Sequence, residues 1–81
     1  MTINNALIKS ILEKLNEVYP EHIEYDRDVL PEHEDRQEIK GHIAYCEGKG
    51  WITFREVTAR EVHDYMFIKI TAEGIDYLST L

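Results

Sequence analysis

Apolar residues along this chain fall first into a helical rhythm and later into an alternating one, with the change at Gly50. Ile3, Leu7, Ile8, Ile11, Leu12, Leu15, Val18 and Tyr19 share one face of a helix expected over residues 3–19, with Lys9, Glu13, Lys14 and Glu17 opposite. Thr2 supplies a capping hydroxyl. Pro20 ends the run, because it has no N–H and disfavours helical geometry at Tyr19. Between Pro20 and Glu34 the pattern weakens. Ile23 and Tyr25 fit one side of a short strand, residues 26–30 fit a single helical turn capped by Asp26 and closed by Pro31, and Val29 and Leu30 are the candidate core anchors.

A second strong helix is expected from Asp35, which can cap it, with Glu38 three residues on as a capping-box partner. Ile39, Ile43 and Cys46 at i, i+4 and i+7 form its inward stripe, which turns Gln37, Gly41, Ala44 and Gly48 outward. Arg36 and Lys40 flank one side of that outer face, and Tyr45 and Glu38 the other. A glycine inside a helix costs about 1 kcal/mol relative to alanine. Gly41 is therefore either a tolerated weak position or a place where something packs closely on a small, nearly uncharged surface.

Gly48 and Gly50 supply left-handed positions for the end of this helix. Beyond them β-branched and aromatic residues dominate, and residues 51–57 and 62–70 read as strands. Alternation points Ile52, Phe54, Met66, Ile68 and Ile70 inward. Thr58-Ala59-Arg60-Glu61 lacks tight-hairpin chemistry and reads as a looser loop, with Arg55 and Arg60 near its tip. Thr71 caps a last helix, Glu73 suits its positive end, Ile75 and Leu78 pack back on the domain, and Gly74 in the first turn implies close approach to a neighbour.

Eighty-one residues make one domain with one modest core, and an apolar fraction of 43% is enough to fold it. No apolar run reaches the roughly 18 residues of a membrane span, and the first residues do not read as a signal peptide. A single cysteine cannot form an internal disulfide and fits a reducing cytoplasm. Charge changes the picture more than composition does. Eight acids between Glu21 and Glu38, against Arg27 and Arg36, carry −6 of the overall −7. Such a field repels phosphate and favours basic partners, or it is a solvated acidic surface.

Glu38, His42 and Cys46 follow one another at i, i+4 steps and are metal-ligand types, but Cys46 belongs to the core stripe and no spacing supplies a fourth ligand from His22 or His33. His63 reads as a surface residue. Nucleophile elbow, phosphate-cradling loop, zinc-peptidase and calcium-loop signatures are all missing from the sequence, so a non-enzymatic protein with no cofactor is expected.

Two stretches carry a family resemblance. Cys46-Glu47-Gly48-Lys49-Gly50-Trp51-Ile52 resembles the end of the recognition helix in winged helix-turn-helix domains, and Ile68-Lys69-Ile70-Thr71-Ala72-Glu73-Gly74-Ile75-Asp76-Tyr77-Leu78 is similar to their closing strand and following helix start. Within that superfamily the chain looks most like small bacterial and phage-type domains of the YjcQ kind. The resemblance implies an α+β winged helix over residues 1–81, with a three-helix core, a small antiparallel β-hairpin wing and a C-terminal helix. It also implies a DNA-binding transcriptional regulator of modest affinity for double-stranded DNA. Carried over by position, Arg36, Gln37, Lys40 and Tyr45 form the groove face around Gly41 and Ala44, and Arg55 and Arg60 are the wing contacts. The acids Glu32, Glu34, Asp35 and Glu38 depart from that pattern. The alternative is an acidic winged-helix module that binds a protein partner of basic character, acting as monomer or homodimer, any dimer using the outer sides of the first and last helices near Tyr77 or Leu81.

Overall fold

The computed structural model describes residues 2–24, 29–58 and 64–81. Its elements run α1 (Asn5–Glu17), β1 (Ile23–Glu24), α2 (Arg36–Gly48), β2 (Ile52–Thr58), β3 (Asp64–Ile70) and α3 (Ala72–Leu78). The architecture is mixed α/β: among the described residues, three helices pack with a three-stranded antiparallel sheet of order β1-β3-β2.

Helix α1 buries Leu7, Ile8, Ile11, Leu12 and Leu15, the stripe its periodicity requires. Its cap is Asn4 rather than Thr2: the Asn4 side-chain oxygen accepts from the N–H groups of Ala6 at 3.0 Å and Leu7 at 3.2 Å. The helix stops at Glu17, just ahead of the cis Tyr19–Pro20 peptide. Tyr19 consequently falls outside the stripe and is exposed.

Ile23 and Glu24 pair with Ile68 and Phe67, which adds a third strand to the expected hairpin. Tyr25 and residues 26–28 of the helical turn expected at 26–30 lie outside the described residues, whereas Val29 is fully buried and Leu30 is packed against the core, neither of them in a helix. Leu30 has a φ of 46°, in the left-handed region that a branched side chain rarely occupies. Its carbonyl takes two donors, the His33 N–H at 3.0 Å and Arg36 Nη1 at 2.7 Å.

The α2–β2 junction is a Schellman turn. The Gly50 N–H reaches the Glu47 carbonyl and the Trp51 N–H reaches the Cys46 carbonyl, both at 3.0 Å, with Gly50 at φ 81°. Gly50 alone supplies the left-handed conformation; Gly48 remains helical. Thr71 locks the next junction onto this one. Its hydroxyl donates to the Gly50 carbonyl at 2.6 Å and accepts the Gly74 N–H at 3.0 Å, while its own N–H bonds the Trp51 carbonyl at 2.9 Å.

One hydrophobic cluster joins α1, α2 and the sheet through Ile39, Ile43, Cys46, Ile52, Ile68 and Ile70, with Ile75 and Leu78 of α3 packed against it. Phe54 departs from its expected inward place. It pairs with Ile68 on the same face as Ile52, but it is 38% exposed. Alternation assigns a residue to a face; whether a helix covers that part of the face depends on packing. Phe54 lies on the edge strand, one pleat beyond buried Ile52. The Met66 side chain and the loop expected over 58–61 lie outside the described residues, apart from Thr58, which belongs to β2. No described helix is long and apolar enough to cross a membrane.

Candidate interaction surface

The outer face of α2 is built as its periodicity dictates. Gln37, Lys40, Ala44, Glu47 and Gly48 are exposed, Gly41 and Tyr45 are half-buried, and Ile39, Ile43 and Cys46 face the core. Asp35 caps the helix by accepting the Glu38 N–H at 3.1 Å. Glu38 does not close the reciprocal half of the capping box; its carboxylate turns to His33 Nε2 at 3.0 Å.

Arg36 is placed differently from the other groove candidates. It is half-buried, and its guanidinium donates to the carbonyls of Leu30 at 2.7 Å and Val29 at 3.1 Å. A planar fork suits this double contact, which pins the left-handed Leu30 turn to α2 and directs the charge inward along the chain. Of the two cations in α2, only Lys40 is exposed. The backbone of Arg55 pairs with Phe67 in β3; the Arg55 side chain and all of Arg60 lie outside the described residues.

The acids remain at the surface. Glu32, Glu34 and Asp35 are exposed just before α2, and Glu47 is exposed at its far end. The C-terminal end of α2 also carries an aromatic ledge. Trp51 stacks on Tyr77 with centroids 3.8 Å apart and planes 10° from parallel, and Tyr45 meets Trp51 edge-on at 6.1 Å. Lys49 places its ammonium 5.6 Å from the Tyr45 ring centroid. All three rings are half-buried, so one end of the α2 surface is acidic and the other is partly aromatic.

The residue that sequence reasoning missed is His42. It is fully buried, and both ring nitrogens are used: Nδ1 lies 2.7 Å from the Glu38 carbonyl, and Nε2 lies 2.9 Å from the Asn4 N–H. A carbonyl can only accept and an N–H can only donate, which makes the ring the neutral Nδ1–H tautomer. Residues 39, 42, 43 and 46 complete an i, i+3, i+4, i+7 stripe. The spacing was present in the sequence, but the slot was occupied by a polar residue type. Glu38, His42 and Cys46 therefore do not converge: Glu38 turns to His33, and His42 is committed to backbone.

Cys46 is fully buried, and burial pushes its thiol up to about 11. Because the thiolate is the reactive form, loss of thiolate alone should slow alkylation at pH 8 about 100-fold relative to an ordinary cysteine. Labelling with iodoacetamide in buffer and in 8 M urea checks this. Equal rates in the two conditions would show that Cys46 is accessible in the native fold.

No protein-family profile, curated protein sequence or solved structure matches the chain.

Proposed function

We propose that this chain is a winged-helix-type interaction module that docks a basic protein segment on the outer face of α2. The order of helices and strands and the sheet order β1-β3-β2 are consistent with a winged-helix layout. The observation that carries the functional reading is the withdrawal of Arg36 onto the Leu30 and Val29 carbonyls. It leaves Lys40 as the exposed cation of α2 beside exposed Glu32, Glu34, Asp35 and Glu47. Phosphate contacts supply most of the affinity of DNA binders, and this balance of charge opposes them. The small residues Gly41, Ala44 and Gly48 allow a partner backbone to come close. The partner class is a segment with cations opposite the acids before α2 and an apolar residue against the Tyr45–Trp51 ledge.

Double-stranded DNA is the second reading. Gln37 and Lys40, both exposed in the first turns of α2, are residue types that can read adenine and guanine edges. Fluorescence anisotropy of a random-sequence 25-mer duplex, titrated at 25 mM and 150 mM salt, separates the two. The proposal expects no saturable binding at either salt, and it expects NMR shift changes at Gln37, Lys40 and Ala44 on adding a Lys/Arg-rich 15-residue peptide. Micromolar duplex binding at 25 mM salt that is lost at 150 mM would replace the protein reading with the DNA one.

A further inference from the structure

The strap of residues 31–35 that leads into α2 is held at both ends. Asp35 fixes its far end by capping α2. Its near end starts from Leu30, whose φ of 46° a branched side chain resists. Arg36 opposes that cost with two bonds, Nη1 to the Leu30 carbonyl at 2.7 Å and Nη2 to the Val29 carbonyl at 3.1 Å. Along the strap Glu32 and Glu34 are exposed, and among the described residues neither carboxylate has a hydrogen bond or an ion pair. His33 between them is half-buried and bonded to Glu38.

We propose that Arg36 is a positioning residue for the docking surface: it clasps the strap closed, so that Glu32 and Glu34 meet a basic segment in one arrangement, and it does not itself touch the partner. This rests on the reading of α2 as the face that docks such a segment. Two forms of the strap compete. In the closed form Leu30 is left-handed and the Arg36 fork is engaged; in the open form Leu30 relaxes to an ordinary φ and the fork is lost. Arginine suits this post because its planar guanidinium donates to two carbonyls at once, whereas an ammonium is a point donor. Carboxylates already held in place bind without the ordering cost that a loose loop adds. When only a fraction of molecules has the strap closed, apparent affinity falls by that fraction. The residue types that oppose and favour closure are therefore separable. Lysine at 36 keeps the charge and removes the fork, and glycine at 30 removes the left-handed penalty.

The test compares the full chain with Arg36→Lys and with Leu30→Gly/Arg36→Lys. Each is titrated with a Lys/Arg-rich 15-residue peptide at 25 mM salt, and the NMR amide signal of His33, whose N–H bonds the Leu30 carbonyl, reports the strap. Arg36→Lys should shift that signal and weaken the peptide about fivefold, as expected if about a fifth of the molecules stay closed. Adding Leu30→Gly should return the signal toward its parent position and the affinity to within about twofold of the parent. Leu30 packs against the core, so Leu30→Asn, another residue type that tolerates this φ, takes its place if the glycine variant does not fold. A His33 signal that Arg36→Lys leaves unmoved overturns the proposal, as does a moved signal with unchanged peptide affinity. Restored signal with affinity still lost overturns it too, because Arg36 then touches the partner. A parent that binds no peptide is a separate failure: it removes the docking reading and the positioning role with it, whatever the His33 signal does.

Discussion

Gly74→Ala should be the most damaging single methyl in this protein, lowering stability by about 3 kcal/mol and the melting temperature by about 12–24 °C. A Cβ at Gly74 would overlap the Trp51 carbonyl oxygen and sit 2.7 Å from Ile70 Cγ1 and 3.0 Å from the Trp51 carbonyl carbon. Two of those three atoms are backbone, and that backbone is fixed twice over. The Trp51 N–H is tied to Cys46 by the Schellman turn, and the Trp51 carbonyl is tied to the Thr71 N–H. Relief requires α3 to move away from the α2–β2 junction, which would also open the Trp51–Tyr77 stack. Gly48 and Gly50 supply internal controls. Gly50→Ala meets the movable carboxylate end of Glu73 at 2.9 Å but must hold a φ of 81°, a cost of about 1 kcal/mol. Gly48→Ala meets nothing within 4 Å in the last turn of α2 and should gain up to about 1 kcal/mol from helix propensity. Thermal melts of the three variants should rank 48, 50, 74 from most to least stable. A Gly74→Ala protein as stable as the parent would mean that the junction is not packed as described.

The parts of the fold that the sequence makes legible are those decided within one turn of chain. The Ile39–Ile43–Cys46 stripe, the Asp35 and Thr71 caps, the Gly50 turn and the tight packing of Gly74 each follow from a residue type at a fixed offset. Where two local solutions compete, sequence reasoning chose poorly. Thr2 and Asn4 are both good caps, and Asn4 is selected because its own N–H is taken up by His42 from another helix. Phe54 alternates correctly but lies at an edge that the helices leave uncovered. The candidate surface was legible as a face and not as a charge. Gln37, Lys40 and Ala44 stand outward as helical geometry requires, whereas Arg36 is drawn to carbonyls six and seven residues back. Those carbonyls are available because Leu30 adopts a left-handed φ, a conformation that the residue type itself argues against.

His42 should prove to be a structural tie between α2 and the start of α1, and a short substitution series can isolate that tie from ordinary packing. Its Nε2 accepts the Asn4 N–H across 38 residues, while its Nδ1 serves the carbonyl one turn back in its own helix. Glutamine places a polar atom near the Nε2 position, so His42→Gln can accept from Asn4 and gives up only the local bond. Asparagine reaches no farther than the Nδ1 position, so His42→Asn keeps the local bond and leaves the Asn4 N–H without its acceptor. An unsatisfied buried donor costs more than a bond exchanged for water. The expected losses are about 1 kcal/mol for Gln and about 2–3 kcal/mol for Asn, with Leu close to Asn despite its better apolar fit. Chemical denaturation at pH 7.5 measures all three. A long-range 15N–1H spectrum of the parent should report a protonated Nδ1 and a bare Nε2 for this ring. If Gln and Asn cost the same, the contact to Asn4 contributes nothing and His42 is held by packing alone. If Asn costs more, as the geometry requires, the first helix is anchored to the helix that carries the candidate surface by one neutral imidazole. The angle between those two helices, and hence how α2 is presented to a partner, then depends on a residue that never touches that partner.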